Sequence, residues 1–581
     1  MDERSSRRRR EADLLLSLAE EYLEDEQPSD ALTSAKDALQ VFDELDDSRS
    51  LADCMRILVA AHCSLGSASD GKREMQPFWE RARSSGDKRS QGCLLCAMAD
   101  VMLASDRTDA CAEAVQCYSE ARECFIVAGD VHMEIFTMLA KVKAQLDFRA
   151  TWGSNEGDQL ENAAEMSQEA LDLAKEAGNE ALEGKCWRSI ARVHTAAGRR
   201  ADSIAAAKDA ITLFRKLLQR KEEAVELQFV ASLHLESGEP REAAAQAECA
   251  LKLLSALGGP AKLEASAMDV KIKAKLELGS KEEALVLAQE AVESARSNGV
   301  TGRAVEGSAL RCLADCYLST EDREQASTLI ERAIFACRRS KDAKAEATCF
   351  VTLAKIHAQA GQWDASMQVN GQAVAMLTKV GDVHGANSAR HWMIDRLILA
   401  AQVSKAFACI QDALMTCRET GDSVHEAEAL MSAATLYRQQ ENFSKVIAKA
   451  ELAKELFHMQ GKLRAEARAS IVIAEALQAE ENQTEAAAAW SEAVTMMKDV
   501  GDNIGAADAI LGLHTCYLQS QHFKAASELV QEGKPVFAAA GKYGKRLEAQ
   551  MFATSAQQHL RLAIEDANAR KADHKDYKFK E

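Results

Sequence analysis

The chain has 581 residues, far more than one ordinary domain, so its length predicts either several domains or an elongated repeat array. Five prolines, 5% aromatic residues and an abundance of Ala, Leu, Glu and Lys favour an all-α array. The net charge of -19, from 90 acidic and 71 basic side chains, argues against nucleic acid as the main ligand, because binding a polyanion requires a basic surface.

The start of the chain is a basic segment, residues 1–11, with no apolar run after its arginines long enough for a secretory signal. No later stretch approaches about 20 uncharged apolar residues, so we expect a soluble, cytoplasmic protein without membrane insertion. Association with the cytoskeleton is compatible with this, and nuclear import through Arg7 to Arg10 is a weaker alternative. The sixteen cysteines are expected to remain thiols that pack on helix faces.

Residues 12–541 are predicted to form about thirteen helix-pair repeats. In the first, three small residues, Ala19, Ala31 and Ala38, occupy the positions that recur in later repeats. In the fourth, the turn between the helices is expected to be stretched over residues 148–159. This insertion contains Trp152, which is interpreted either as an anchor for a partner or as a side chain that folds back onto a helix.

A period of forty residues is clearest in the second half of the chain. Five glycines share this spacing: Gly381, Gly421, Gly461, Gly501 and Gly541. Each follows one helical pattern and precedes another, which is typical of the left-handed residue that ends a helix. The aspartates that follow, such as Asp382, Asp422 and Asp502, are expected to cap the next helix.

Three further positions in each period are mostly small. The first position is held by Ala191, Ala231, Ala314, Ala354, Ala434 and Ala474. Twelve residues later comes the second, held by Ser203, Ala243, Ala326, Ser366, Val446 and Ala486, and seven later the third, held by Ala210, Ala250, Ala333, Ala373, Ala453 and Ala493. Antiparallel helices approach to about 8 Å only where the crossing side chains are small, so each period predicts a helix, a turn and a helix.

The order and spacing of these small positions resemble the tetratricopeptide repeat, and an aromatic residue often follows the first position by three, as at Tyr317, Tyr437 and Tyr517. The forty-residue period is similar to the long-helix variety of kinesin light chains and Leu-Gly-Asn-type polarity scaffolds. The resemblance implies an all-α, right-handed α-solenoid that binds protein segments along its concave groove. Residues 542–570 are expected to form a capping helix, followed by a polar tail, 571–581.

The resemblance implies that residues three before and one after the first small position face the groove. Cations at these positions are Arg188, Arg192, Lys273, Arg311 and Lys355, followed by His391 and then by the apolar Met431, Ile471 and Leu511. The cations suit an acidic or phosphorylated segment, although charged residues are also ordinary on a solvated helix face. The apolar row indicates either a hydrophobic partner site or side chains that the superhelix buries.

The sequence offers no catalytic motif, so we expect no enzyme activity, no cofactor and no metal site. The pair Cys93-x-x-Cys96 invites a zinc interpretation, but it falls within a predicted helix, where packing is the favoured role. The leading hypothesis is an adaptor or scaffold that binds other proteins. The alternatives are a ligand-responsive regulatory sensor and a structural subunit of a multi-subunit cytoskeletal or ciliary complex.

Overall fold

The structure is a computed structural model that describes residues 3–557, except 25–26, 106–109, 153–156, 198, 258–260, 298, 421, 461 and 542. Every regular element in this part of the chain is a helix, so the protein is an all-α repeat solenoid. It divides into two compact units, Met1–His384 and Gly385–Glu581. No helix in the described part is long and apolar enough to cross a membrane.

Twenty-six helices form thirteen consecutive pairs in the described residues, nine before the division and four from α19 onward. The first nine pairs are α1 (Glu3–Glu24), α2 (Pro28–Glu44), α3 (Ser48–Ser64), α4 (Ala68–Ser85), α5 (Lys88–Leu103), α6 (Ala110–Ala128), α7 (Val131–Trp152), α8 (Gly157–Glu176), α9 (Glu180–Ala196), α10 (Arg200–Lys216), α11 (Arg220–Glu236), α12 (Pro240–Leu257), α13 (Ala261–Glu277), α14 (Lys281–Ser297), α15 (Gly299–Ser319), α16 (Arg323–Ser340), α17 (Ala343–Gln359) and α18 (Trp363–Lys379). The last four are α19 (Val383–Leu399), α20 (Val403–Thr420), α21 (Ser423–Gln439), α22 (Phe443–Met459), α23 (Leu463–Ala479), α24 (Gln483–Asp499), α25 (Asn503–Gln519) and α26 (Phe523–Ala539).

The small residues lie where the two helices of a pair meet. Ala210, Ala333 and Ala453 have no exposed surface. Where serine replaces alanine at the second small position, its hydroxyl donates across the crossing: Ser203 Oγ lies 2.8 Å from the carbonyl oxygen of Ala191. The equivalent Ser366 repeats this bond to Ala354 at 2.7 Å. The two small positions are therefore in direct contact, as the close approach of the helices requires.

Two large rings pack against glycines on a neighbouring helix. A Cβ atom added at Gly184 would lie 2.7 Å from the ring of Phe214, and one at Gly512 would lie 2.5 Å from the ring of Trp490. Both distances are shorter than carbon atoms tolerate. A large side chain on one helix thus packs against a glycine on the neighbouring helix, as in other closely packed protein interiors.

The junctions between pairs have the predicted chemistry. Gly381, Gly501 and Gly541 have φ angles of 80°, 75° and 66°, in the left-handed region, while Gly421 and Gly461 lie outside the described residues. Asp502 accepts a hydrogen bond from the backbone N–H of Gly505 at 3.0 Å, and Asp422 accepts one from His425 at 3.2 Å. Glycine ends one helix, and the aspartate caps the next.

Capping aspartates also bind cations 38 residues earlier in the chain. Arg9 lies 2.6 Å from Asp47, Lys344 lies 2.8 Å from Asp382, and Arg464 lies 2.7 Å from Asp502. Arg9 lies within α1, so the predicted basic segment, 1–11, is part of this helix from Glu3 onward. The sequence contains no helix breaker between Glu3 and Ala12, so the helix continues through it.

The expected stretched turn, 148–159, is largely helical. Helix α7 continues to Trp152 and α8 begins at Gly157, because no glycine or proline precedes Gly153. The side chain of Trp152 lies outside the described residues, as do the tail, 571–581, and residues 558–570 of the predicted capping helix. Residues 543–557 are helical, and Leu547 and Met551 bury their side chains against the last pair.

Replacing Ala453 by Leu is expected to cost about 1–3 kcal/mol of stability, because a larger side chain overpacks the crossing of α21 and α22. Chemical denaturation measures the change. Ala448 is exposed on the same helix, α22, so Ala448→Leu is the matched control and should leave the midpoint nearly unchanged. Equal midpoints for both variants would contradict the assignment of the small positions.

Candidate functional site

The candidate site is the surface formed by the first helices of successive pairs. We call inner positions those three residues before and one residue after the first small position. The three arginines at these positions in the first unit are paired with carboxylates of the neighbouring pair. Glu226, whose side chain is fully buried on α11, accepts from Arg188 Nε at 2.7 Å and from Arg192 Nη2 at 2.8 Å. Arg188 also pairs with Glu222.

A second network joins α13, α15 and α17 around Arg311. Its guanidinium donates to Asp269 at 2.6 Å and to Asp315 at 2.8 Å. Asp269 also binds Lys273 at 2.8 Å, and Thr352 donates to the other oxygen of Asp315 at 3.0 Å. Burial alone raises the pKa of Asp269, but the charges of Arg311 and Lys273 outweigh burial and hold this pKa well below its usual range.

The first pairs carry similar bridges, which the sequence analysis did not single out. Arg56 on α3 binds Glu20 on α1 at 2.6 Å and lies 4.9 Å from the ring centroid of Phe136. Arg89 lies between Asp53 and Asp130, at 3.0 and 2.8 Å. The signal for these bridges is opposite charges 36 to 41 residues apart, close to one repeat.

The structure places the predicted row of cations in different surroundings. Arg311 is 8% exposed, so it is not accessible to a partner. The guanidinium groups of Arg188 and Arg192 already donate hydrogen bonds to Glu222 and Glu226. Burial is the physical reason, because a charge in the interior must be paired. Lys273, with a side chain 48% exposed, and Lys355, which is half-buried and makes no ion pair among the described residues, remain accessible.

The inner positions of the second unit differ in character. His391 lies 3.6 Å from Asp395 on its own helix, α19. Met431, Ile471 and Leu511 are half-buried and pack against the apolar core on one side. Each is followed four residues later by a polar inner residue, namely Thr435, Glu475 and Thr515. The surface therefore repeats an apolar and a polar side chain on three successive first helices.

The cysteines that invited a zinc interpretation bond to different groups. Cys93 Sγ donates to Asp53 at 3.2 Å, and Cys96 Sγ lies 3.5 Å from the hydroxyl of Thr137. Burial raises the pKa of Cys96 to about 12, which disfavours the thiolate that zinc requires. In the described residues, no group of three or more His, Cys, Asp or Glu is arranged to hold a metal.

Histidines recur in the last turn of first helices, and three of them bond to the residue five further on. The Nδ1 atoms of His62, His234 and His357 lie 2.6 to 2.9 Å from side-chain oxygens, which belong to Ser67, Glu239 and Gln362. At His194 the corresponding residue is Arg199, which has no acceptor, and the buried Nδ1 has no hydrogen-bond partner among the described residues. Burial, followed by the charge of Arg199, lowers the pKa of His194.

The structure combines three features of one repeat. These are thirteen helix pairs in the described residues, buried small residues at the predicted crossings, and junctions of glycine and aspartate. The fold is an all-α solenoid of helix pairs, and its repeat positions resemble those of the tetratricopeptide repeat. No protein-family model and no curated protein matches the chain. The resemblance therefore rests on the repeats of the chain itself.

Three solved structures illustrate the range of similar tetratricopeptide-like arrays. BtubC from P. vanneervenii is 16% identical over 38% of this chain and 92% of its own, with a TM-score of 0.33. A Rap protein complexed with competence and sporulation factor is 13% identical over 64% and 99%, with a TM-score of 0.40. A signal transduction ATPase with a tetratricopeptide repeat sensor, from Pyrococcus horikoshii, is 13% identical over 75% and 74%, with a TM-score of 0.41. These values are too low to carry an argument about function.

Asp269→Asn is expected to destabilise the chain by about 3 kcal/mol at neutral pH, because Arg311 loses a buried partner. The folded pKa of Asp269 lies below the unfolded value of about 3.9, so its contribution is present above that pH and is lost as the pH falls through the folded pKa. The difference from wild type should therefore shrink below about pH 4 in denaturation experiments. The control is Asp209→Asn, because Asp209 is exposed. If the stability difference between Asp269→Asn and wild type stayed constant with pH, the ion pair of Asp269 with Arg311 would not be its cause.

Arg199→Gln is expected to stabilise the chain by about 1 kcal/mol, because it supplies His194 with the acceptor that Gln362 gives His357. The reciprocal variant, Gln362→Arg, should cost a similar amount. Denaturant midpoints of both variants check this, and shifts in the same direction would show that the histidine bond is not responsible.

Proposed function

We propose that the protein is an adaptor or scaffold that binds a segment of a partner protein along the inner positions of its second unit. The supporting observation is the regular row of Met431, Ile471 and Leu511 beside Thr435, Glu475 and Thr515. Packed helices lie about 8–10 Å apart, and an extended segment advances about 3.3 Å per residue. About three residues of a bound segment would therefore separate equivalent contacts.

The chemistry of this row favours an extended segment with an apolar side chain at regular intervals. The half-buried side chains present their remaining apolar surface, while the neighbouring threonine hydroxyls, which donate to their own helices, can still accept hydrogen bonds. Glu475 is paired with Arg438 at 2.6 Å. An acidic or phosphorylated segment in the first unit has less support, because Arg188, Arg192 and Arg311 are already paired. Lys273 and Lys355 are the inner cations on which such binding would depend.

The test changes the polar inner residues, which leaves the apolar core intact. The triple variant Thr435→Arg, Glu475→Lys and Thr515→Arg should abolish capture of the partner in a crosslinking pull-down from native lysate. Long charged side chains would occupy the row and repel an apolar segment. The readout is the set of crosslinked peptides, which must include residues of α21, α23 or α25.

The matched control adds the same charge on second helices. Glu455→Lys, Thr484→Arg and Thr495→Arg alter exposed residues of α22 and α24 and make the same net change. The control should retain the partner and its crosslinks. If the inner variant also retains them while both proteins remain helical, the inner positions of the second unit are not the binding surface.

A further inference from the structure

A cavity of about 680 Å³ lies between α8 and the α9–α10 pair, away from the inner positions. Ile190, Val193 and His194 line it from α9. At about 100° per residue, these three lie roughly opposite Arg188 and Arg192 on the helix. Ala164 and Leu173 complete an apolar floor, and the volume falls within the range of about 300–1,000 Å³ that is typical of ligand pockets.

One wall of this cavity is acidic. Four carboxylates follow one face of α8 at helical spacing: Glu165, Glu169, Asp172 and Glu176. Glu169 pairs with Arg122 at 2.5 Å, and Asp172 accepts from the Gln168 amide at 3.1 Å. Glu165 and Glu176 are exposed and have no partner in the part of the chain that the structure describes. Both carboxylates are therefore available to a cationic occupant.

The opposite wall departs from the pattern of the other repeats. His194 lines the cavity with a buried Nδ1 that lacks a hydrogen-bond partner in the described residues, whereas His62, His234 and His357 each have one. An unsatisfied buried polar atom is costly, and in a native protein it indicates a missing partner. Arg199, the residue responsible for the difference, lines the same cavity.

We propose that this cavity is a docking site for a basic amphipathic segment of a partner protein. An apolar side chain of the segment enters between α8 and α9, and its lysines or arginines pair with Glu165 and Glu176. Charge complementarity selects this occupant, because the wall is acidic, the floor apolar, and the chain carries a net charge of -19 that attracts cations.

This proposal is independent of the site proposed on the second unit. The cavity lies on α8, α9 and the start of α10, and its residues are not inner positions. A partner could therefore be lost from either site alone. The two proposals are tested with different variants and different probes, so the failure of one is distinguishable from the failure of the other.

The experiment uses the full chain and a fluorescein-labelled peptide of leucine and lysine at helical spacing, with fluorescence anisotropy as the readout. The double variant Glu165→Lys and Glu176→Lys should weaken binding by at least about tenfold, because both ion pairs become repulsive. Ala164→Phe should weaken it by about tenfold as well, since the ring fills the floor without removing core atoms. Circular dichroism checks that both variants remain helical.

The control is the double variant Glu282→Lys and Glu293→Lys on α14. It changes the net charge by the same amount, at the same spacing of eleven residues. It should change the affinity by less than about twofold. Equal weakening by the two charge variants would overturn the proposal, because the peptide would then respond only to the overall charge. Unaltered binding by Ala164→Phe would also overturn it, because no side chain would enter the cavity.

Discussion

The structure depends on the small residues where the helices of a pair cross. Because Ala191 and Ser203 touch through a serine hydroxyl and a carbonyl oxygen, α9 and α10 lie closer than larger side chains allow. This contact fixes the angular position of each helix about its own axis. It thereby determines which residues face the core, the neighbouring pairs and the solvent. The inner positions, the ion-pair networks and the cavity beside α8 all follow from that orientation.

Much of this fold could be predicted from the sequence, because its determinants recur at fixed intervals. Glycines in left-handed conformation, capping aspartates and buried alanines each depend on a residue and its immediate neighbours, which a forty-residue period exposes directly. Two boundaries differ from the expectation. Residues 148–152 continue α7 and the N-terminal arginines belong to α1, because neither stretch contains a helix breaker.

The candidate site was less predictable, because its electrostatics depend on residues about one repeat away. Arg188 and Arg311 occupy positions that the repeat class implies are accessible, yet Glu226 and Asp269 neutralise them across the pair boundary. The sequence of the helix that carries each arginine does not reveal these acidic partners, because they lie on a first helix of the neighbouring pair. The same holds for the cavity, whose signal lies in a comparison between repeats: Arg199 stands where Glu239 and Gln362 provide acceptors for a histidine.

The capping aspartates have a mechanical consequence. Asp47, Asp382 and Asp502 each bind a cation on the preceding first helix, so bending a unit at such a junction stretches an ion pair as well as separating apolar surfaces. Apolar contact resists bending equally at any ionic strength, whereas partly exposed ion pairs weaken as salt screens them. Each unit should therefore behave as a spring whose stiffness falls with increasing salt. Within each unit, salt would then change the resistance to bending while the apolar contacts between helices stay the same.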